Sequence, residues 1–67
     1  MKKETYIQLR KTNNMLAIVY NHYYETSVAQ GKIPMDYSKF AEWFPQYIGS
    51  QHIIDSVINN YDKEYGI

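Results

Sequence analysis

The chain has 67 residues, seven basic and seven acidic side chains, no cysteine, three glycines and two prolines. This length predicts a single domain, residues 1–67, with a thin core, because a domain of about 60 residues buries only about 60% of the surface that its unfolded chain exposes. The lack of cysteine excludes disulfides and cysteine metal sites, and no signal-peptide pattern is present, so we expect a cytoplasmic protein. Zero net charge argues against general nucleic-acid coating, and no apolar run approaches the roughly 20 residues of a membrane span.

The composition is biased toward residues with AT-rich codons. Ile, Tyr, Lys and Asn supply 27 residues, whereas Gly, Ala, Arg and Pro together supply only 9. A low-GC bacterium or one of its phages would produce this bias without selection for function. Part of the tyrosine excess therefore needs no functional explanation.

The first segment is predicted to be one long helix from about Thr5, with Thr5 and Gln8 spaced as a capping box. A helix places one broad face toward the core, although Thr12 and Asn13 interrupt it. That face comprises Tyr6, Leu9, Leu16, Val19, Tyr20, Tyr23 and Tyr24. A β-hairpin that pairs residues 6–11 with residues 15–24 is the alternative, since the tyrosines and β-branched residues also favour strands. This alternative would make the domain α+β.

The middle segment is predicted to be a short aromatic helix. Asp36 as N-cap places Met35 and Phe40 at the two positions of a hydrophobic staple. Four aromatic residues then share one side, most of them expected in the core: Phe40, Trp43, Phe44 and Tyr47. Pro45 should end this helix near Phe44 or restart it as a short turn, because proline cannot donate an amide and clashes with the preceding turn.

The last segment shows the clearest helical pattern. Its apolar residues fall within a sector of roughly 100° on a helical wheel. They are Ile54, Val57, Ile58, Tyr61 and Tyr65. Ser50 is the expected N-cap and Gly66 the expected stop. Together the segments predict an all-α domain of three helices.

No constellation of residues predicts catalysis. His22 with Glu25, and His52 with Asp55, stand three residues apart and would share helix faces. Neither pair is accompanied by a nucleophile, a glycine-rich phosphate loop or a metal-ligand spacing. We therefore expect no enzyme, no bound metal and no cofactor.

A helix-turn-helix is the second functional interpretation. Residues 39–44 and 51–60 would be its two helices around a turn at 47–49, and the second helix carries several side chains that can hydrogen-bond to base edges. These are Gln51, His52, Ser56, Asn59 and Asn60. The helix has no Lys or Arg before Lys63 to anchor phosphates. A small dimeric DNA-binding transcriptional regulator therefore stays the alternative function, with nucleic acid the less favoured partner.

A second apolar stripe on the first helix predicts a protein-binding surface. Met15, Ile18 and His22 would lie opposite the core face and be flanked by tyrosines, and tyrosine and methionine are enriched at interfaces. The predicted partner-binding residues are Met15, Ile18, Tyr20, His22, Tyr23 and Tyr24. A near-heptad spacing that includes Asn13 also allows a homodimer. The resulting expectation is a small regulator or inhibitor, encoded by a phage or mobile element, that binds a host or self-encoded protein and no membrane.

Residues 50–61 also resemble a known motif. Ser50-Gln51 followed by Asp55-Ser56-Val57-Ile58-Asn59-Asn60-Tyr61 resembles the Ser-Gln-x-x-Asp-x-Leu-Ile-x-x-Tyr helix of the small sporulation-type aspartyl-phosphate phosphatases. This chain has one residue more between Gln51 and Asp55 and lacks the Glu that follows the Gln. The resemblance implies dephosphorylation of a response regulator, with Asp55 at the position of the functional acidic residue.

Overall fold

The computed structural model describes residues 1–67, which form four α-helices and one short 3₁₀ helix and no strand. The helices are α1 (Lys3–Lys11), α2 (Met15–Ala29), α3 (Tyr37–Trp43) and α4 (Ser50–Tyr65), with the 3₁₀ helix at Phe44–Gln46. The all-α prediction is confirmed, whereas the count of three helices and the hairpin alternative are wrong. None of the helices combines the length and the apolar character needed to cross a lipid bilayer.

The predicted long first helix is divided in two by a turn at residues 12–14. Asn13 adopts a left-handed φ of 59°, a conformation that asparagine tolerates better than most residues. The Thr12 hydroxyl donates to the carbonyl of Leu9 at 3.2 Å, and Asn14 accepts from the backbone N–H of Ala17 at 3.3 Å as the N-cap of α2. Polar side chains that bond locally to the backbone compete with helix continuation, so α1 and α2 separate here.

Three of the five predicted helix boundaries are confirmed. The middle helix ends near Phe44 as predicted, since α3 stops at Trp43 and a 3₁₀ helix follows it. Asp36 caps α3 by accepting from the backbone N–H of Lys39 at 2.9 Å, and Gly66 ends α4 with a φ of 72°. The other two are wrong. The helix α1 begins at Lys3 rather than Thr5, and Gly49 rather than Ser50 is the N-cap of α4. No side-chain hydrogen bond caps the N-terminus of either helix.

The core is a single cluster of seven buried side chains. They are Tyr6, Ile18, Val19, Phe40, Phe44, Val57 and Tyr61. The helix α2 packs against α1, α3 and α4, so it is buried over a wide arc. This arrangement corrects one prediction: Ile18, expected on an exposed stripe, is 0% exposed. The small size of the chain leaves α2 no free apolar face of the predicted kind.

A polar anchor joins α1 to α4. The hydroxyl of Tyr6 donates to the carboxylate of Asp62, which also accepts from the guanidinium of Arg10 at 3.1 Å. Burial, together with the Asp62 carboxylate, raises the pKa of Tyr6 to about 12. Burial is also the main cause that raises the pKa of Tyr61 to about 12. The two tyrosines pack with ring centroids 5.1 Å apart, so α1 and α4 share an aromatic and a polar contact.

Candidate protein-binding groove

The largest concave surface is an open groove of about 680 Å³. It lies between α2, the connection from α2 to α3, and α3 with the 3₁₀ helix, and Ile53 of α4 also lines it. Nine of its 14 lining residues are hydrophobic. A depression of this volume and character is typical of binding sites for apolar groups.

The floor of the groove is made of stacked aromatic rings. Phe40 and Phe44 stack with ring centroids 4.9 Å apart at an angle of 10°, and Phe40 stacks on Tyr23 at 5.2 Å. Phe40 and Phe44 are the buried side of α3 and the 3₁₀ helix, so the floor is part of the core. A floor built this way is rigid, because its rings are held by the packing of the whole domain.

One wall of the groove exposes two large aromatic side chains. Trp43 is 51% and Tyr47 is 50% exposed, and their ring centroids lie 5.9 Å apart. The expectation that most of the aromatic cluster is core therefore holds for Phe40 and Phe44 and is wrong for Trp43 and Tyr47. The chain passes from an α-helix into a 3₁₀ helix after Trp43, which changes the angle between successive side chains and leaves Tyr47 at the surface.

A second wall of the groove is the connection between α2 and α3. It leaves α2 through Gly31, whose φ of 74° suits glycine, and the N–H of Lys32 donates to the carbonyl of Ser27 at 2.9 Å. Ile33 follows and is 97% exposed. An isoleucine this accessible at the edge of an apolar groove gains nothing for folding, because it is as accessible as in an unfolded chain.

Two tyrosine hydroxyls fix the end of this connection at Met35. Tyr20 donates to the carbonyl of Met35 at 3.0 Å, and Tyr23 accepts from the N–H of Met35 at 2.9 Å. Burial is the main cause that raises the pKa of Tyr20. Both backbone groups of Met35 are therefore satisfied by α2, which positions the wall of the groove relative to its floor.

Comparison with known proteins finds no matching family model, no matching curated protein and no matching solved structure. The local resemblance of residues 50–61 to the aspartyl-phosphate phosphatases is thus not accompanied by a family match. In the structure Asp55 is exposed on α4 and accepts from the side-chain amide of Gln51 at 2.9 Å. The site must be interpreted from its own geometry.

The predicted partner-binding residues are not brought together by the fold. His22 and Tyr23 line the groove. Tyr20 is half-buried behind it and bonded to Met35, and Ile18 is core. Tyr24 is exposed but lies outside the groove, and Met15 lines a separate depression beside Arg10 and Asp55.

Sequence reasoning missed the residues that expose most apolar surface at the groove. The helical spacing groups Trp43 and Tyr47 in an aromatic cluster expected to be mostly core, and the sequence-based binding site does not include Ile33. The sequence does contain a signal for Ile33. It lies between Gly31 and Pro34, and these two residue types mark a loop, so Ile33 is not part of a helix face that packs into the core. For Trp43 and Tyr47 the helical spacing predicts the opposite of what the structure shows, because it places them on the same side as Phe40 and Phe44.

No group of three or more His, Cys, Asp or Glu residues is close enough to hold a metal ion. The His22 ring packs edge-on to Tyr61 at 6.1 Å, and Glu25 pairs with the amino group of Met1. What the groove offers is apolar contact area with a few polar groups at its edge, which suits binding.

Proposed function

We propose that this protein is a small protein-binding regulator or inhibitor that recognises its partner through the groove between α2 and α3. One observation carries the proposal: Trp43, Tyr47 and Ile33 expose large apolar surface around one depression. Exposed apolar patches of this kind mark interaction sites, and tryptophan and tyrosine dominate the energetics of protein interfaces.

The proposal includes the setting in which the protein acts. The bias toward residues with AT-rich codons and the small size support a protein encoded by a phage or other mobile element of a low-GC bacterium, with a host protein as partner. The lack of cysteine supports a cytoplasmic location. Compared with the sequence-based hypothesis, the binding surface moves from the middle of α2 to the groove. His22 and Tyr23 are shared by both surfaces.

The groove is a better candidate than the alternative DNA-reading face. The exposed side of α4 carries Asp55 and Glu64, and Lys63 is its only lysine or arginine. Protein–DNA interfaces position themselves by many contacts between cations and phosphates, so this helix is poorly suited to a major groove. Steep weakening of duplex binding with added salt would support the DNA-binding alternative instead.

Affinity capture with matched variants tests the proposal. The tagged protein, its Ile33→Gln variant and its Val28→Gln variant are each incubated with a lysate of the source cells. Val28 is about half exposed but lies outside the groove, so it controls for the loss of a surface aliphatic residue. A partner retained by the wild type and Val28→Gln and lost by Ile33→Gln supports groove binding. A partner retained equally by all three, or no specific partner, contradicts it.

A further inference from the structure

The two sides of the groove differ in chemistry. His22 and Thr26 on α2, and Gln30 at the C-cap of that helix, follow one another at intervals of four residues and line one side of the groove with polar groups. Residues at this spacing share a helix face. The other side is formed by the rings of Trp43 and Tyr47. An occupant that satisfies both sides must itself be amphipathic.

The charge of the groove is one-sided. Lys32 is the only Lys, Arg, Asp or Glu among the lining residues, and it forms no ion pair within the chain. The last carbonyls of α2, at Thr26, Ser27 and Val28, already accept from the backbone N–H groups that follow them. The ammonium of Lys32 is therefore available to an anionic group of an occupant, and no carboxylate of the groove would repel that group.

We propose that the groove binds an amphipathic helical segment of a partner protein, with its apolar face against Trp43 and Ile33 and a carboxylate beside Lys32. This inference rests on the proposed function and specifies the chemistry of the partner. The apolar face of the segment contacts the rings of Trp43 and Tyr47, and its polar flank faces the polar side chains that lie along α2. Its acidic residue pairs with Lys32, which has no ion-pair partner within the chain. Helix-in-groove docking of this kind uses apolar anchors spaced three, four and seven residues apart.

A pair of designed peptides tests the inference directly. Both are tryptophan-free amphipathic helices with Leu at the anchor positions, and they differ only by Glu or Lys at the polar flanks. Trp43 is the single tryptophan of the chain and lies half-exposed in the groove, so its emission reports occupancy without a label. Titrations use the wild type, Lys32→Glu, Ile33→Gln and, as a charge control outside the groove, Lys63→Glu.

The expected result is binding of the Glu peptide about fivefold tighter than the Lys peptide, which is the order of effect of exposed charge pairs. The difference should shrink in high salt, invert in Lys32→Glu and persist in Lys63→Glu. Ile33→Gln should weaken both peptides. Equal binding of the two peptides, lost in Ile33→Gln, overturns the charge inference and leaves the proposed function in place.

Other occupants would show themselves in the same experiment. Binding of neither peptide overturns the inference, and the capture experiment then decides separately whether the proposed function also fails. A blue shift of Trp43 emission on concentrating the protein alone, with a rise in sedimentation coefficient that Ile33→Gln abolishes, would assign the groove to a second copy of the chain and overturn the inference. Wild-type sedimentation as a monomer over the titration range supports it.

Discussion

The hydroxyl oxygen of Tyr23 accepts a hydrogen bond from the backbone N–H of Met35 at 2.9 Å, and one turn earlier Tyr20 donates to the carbonyl of the same residue at 3.0 Å. The ring of Tyr23 also stacks on Phe40 in the groove floor. One tyrosine thus contacts both the floor and the wall. These hydrogen bonds hold Met35, at the end of the connection between α2 and α3, against α2.

Replacing Tyr23 with Phe should loosen this connection while keeping the ring stack. The loss of one backbone hydrogen bond is worth about 1 kcal/mol of the free energy of unfolding. Hydrogen exchange of the Met35 amide should accelerate, and urea denaturation should show the destabilisation. Tyr24→Phe is the matched control, since Tyr24 is 48% exposed and does not contact Met35 through a hydrogen bond, so its substitution should change neither measurement. Unchanged exchange of Met35 in Tyr23→Phe would contradict the role given to this hydroxyl.

The sequence predicted those elements whose pattern and end signals agree. The apolar stripe of α4, its stop at Gly66 and the cap at Asp36 are local features, and the structure confirms each. Ile18 was misplaced because its exposure depends on how many neighbours α2 has, which is a property of the whole packing. A segment that is apolar on all sides is buried in the centre of a domain, and the sequence pattern does not say which sides are covered.

Ile18→Asp should unfold the protein. An ionised carboxylate at a site that is 0% exposed is strongly destabilising, and even Ile18→Ala should lose about 2–5 kcal/mol of the free energy of unfolding. Far-ultraviolet circular dichroism should show the loss of helix. Ile48→Asp is the control: Ile48 is 94% exposed, and its substitution should change stability by no more than about 0.5 kcal/mol. A folded Ile18→Asp variant would contradict the core described above.

The sequence pattern does not predict the groove either, because the groove also depends on how distant parts of the chain pack together. The spacing of Phe40, Trp43, Phe44 and Tyr47 fits one face of a continuous α-helix. The sequence predicts the break at Pro45, and the structure confirms it as a 3₁₀ helix, but the direction in which Tyr47 then points is not encoded in the spacing. From the break onward the residues no longer follow the α-helical period, so Tyr47 reaches the surface. Met35 is held by contacts 12 and 15 residues away along the chain, which no local pattern encodes.

Gly49→Ala should destabilise the start of α4. Gly49 has a φ of 92°, and an L-residue in the left-handed region costs about 1–2 kcal/mol. A Cβ at this position would meet no atom within 4 Å, so the effect comes from backbone conformation alone. Thermal unfolding should reveal the loss, with a smaller effect for Gly49→Asn. A chemically synthesised chain with D-alanine at position 49 is the sharpest control and should retain wild-type stability or exceed it.

Alkaline pH should unfold the protein through its buried tyrosines. Tyr6 and Tyr61 have pKa values raised to about 12, whereas tyrosine in an unfolded chain titrates near pH 10. Below pH 10 both states carry the phenolic proton, so the two tyrosines add no pH dependence. Between pH 10 and 12 the unfolded chain releases protons that the folded chain retains. The free energy of unfolding must therefore fall as pH rises through this window.

The measurement is urea denaturation at a series of pH values from 9 to 12, together with the absorbance of tyrosinate. In Tyr6→Phe the fall in stability above pH 10 should be shallower, because one of the retained protons is gone, while stability at neutral pH drops through loss of the hydrogen bond to Asp62. Tyr47→Phe, at a half-exposed position, is the control for the removal of a tyrosine hydroxyl. If Tyr6→Phe keeps the wild-type slope, the Tyr6 phenol is ionising normally and the anchor between α1 and α4 does not hold its proton.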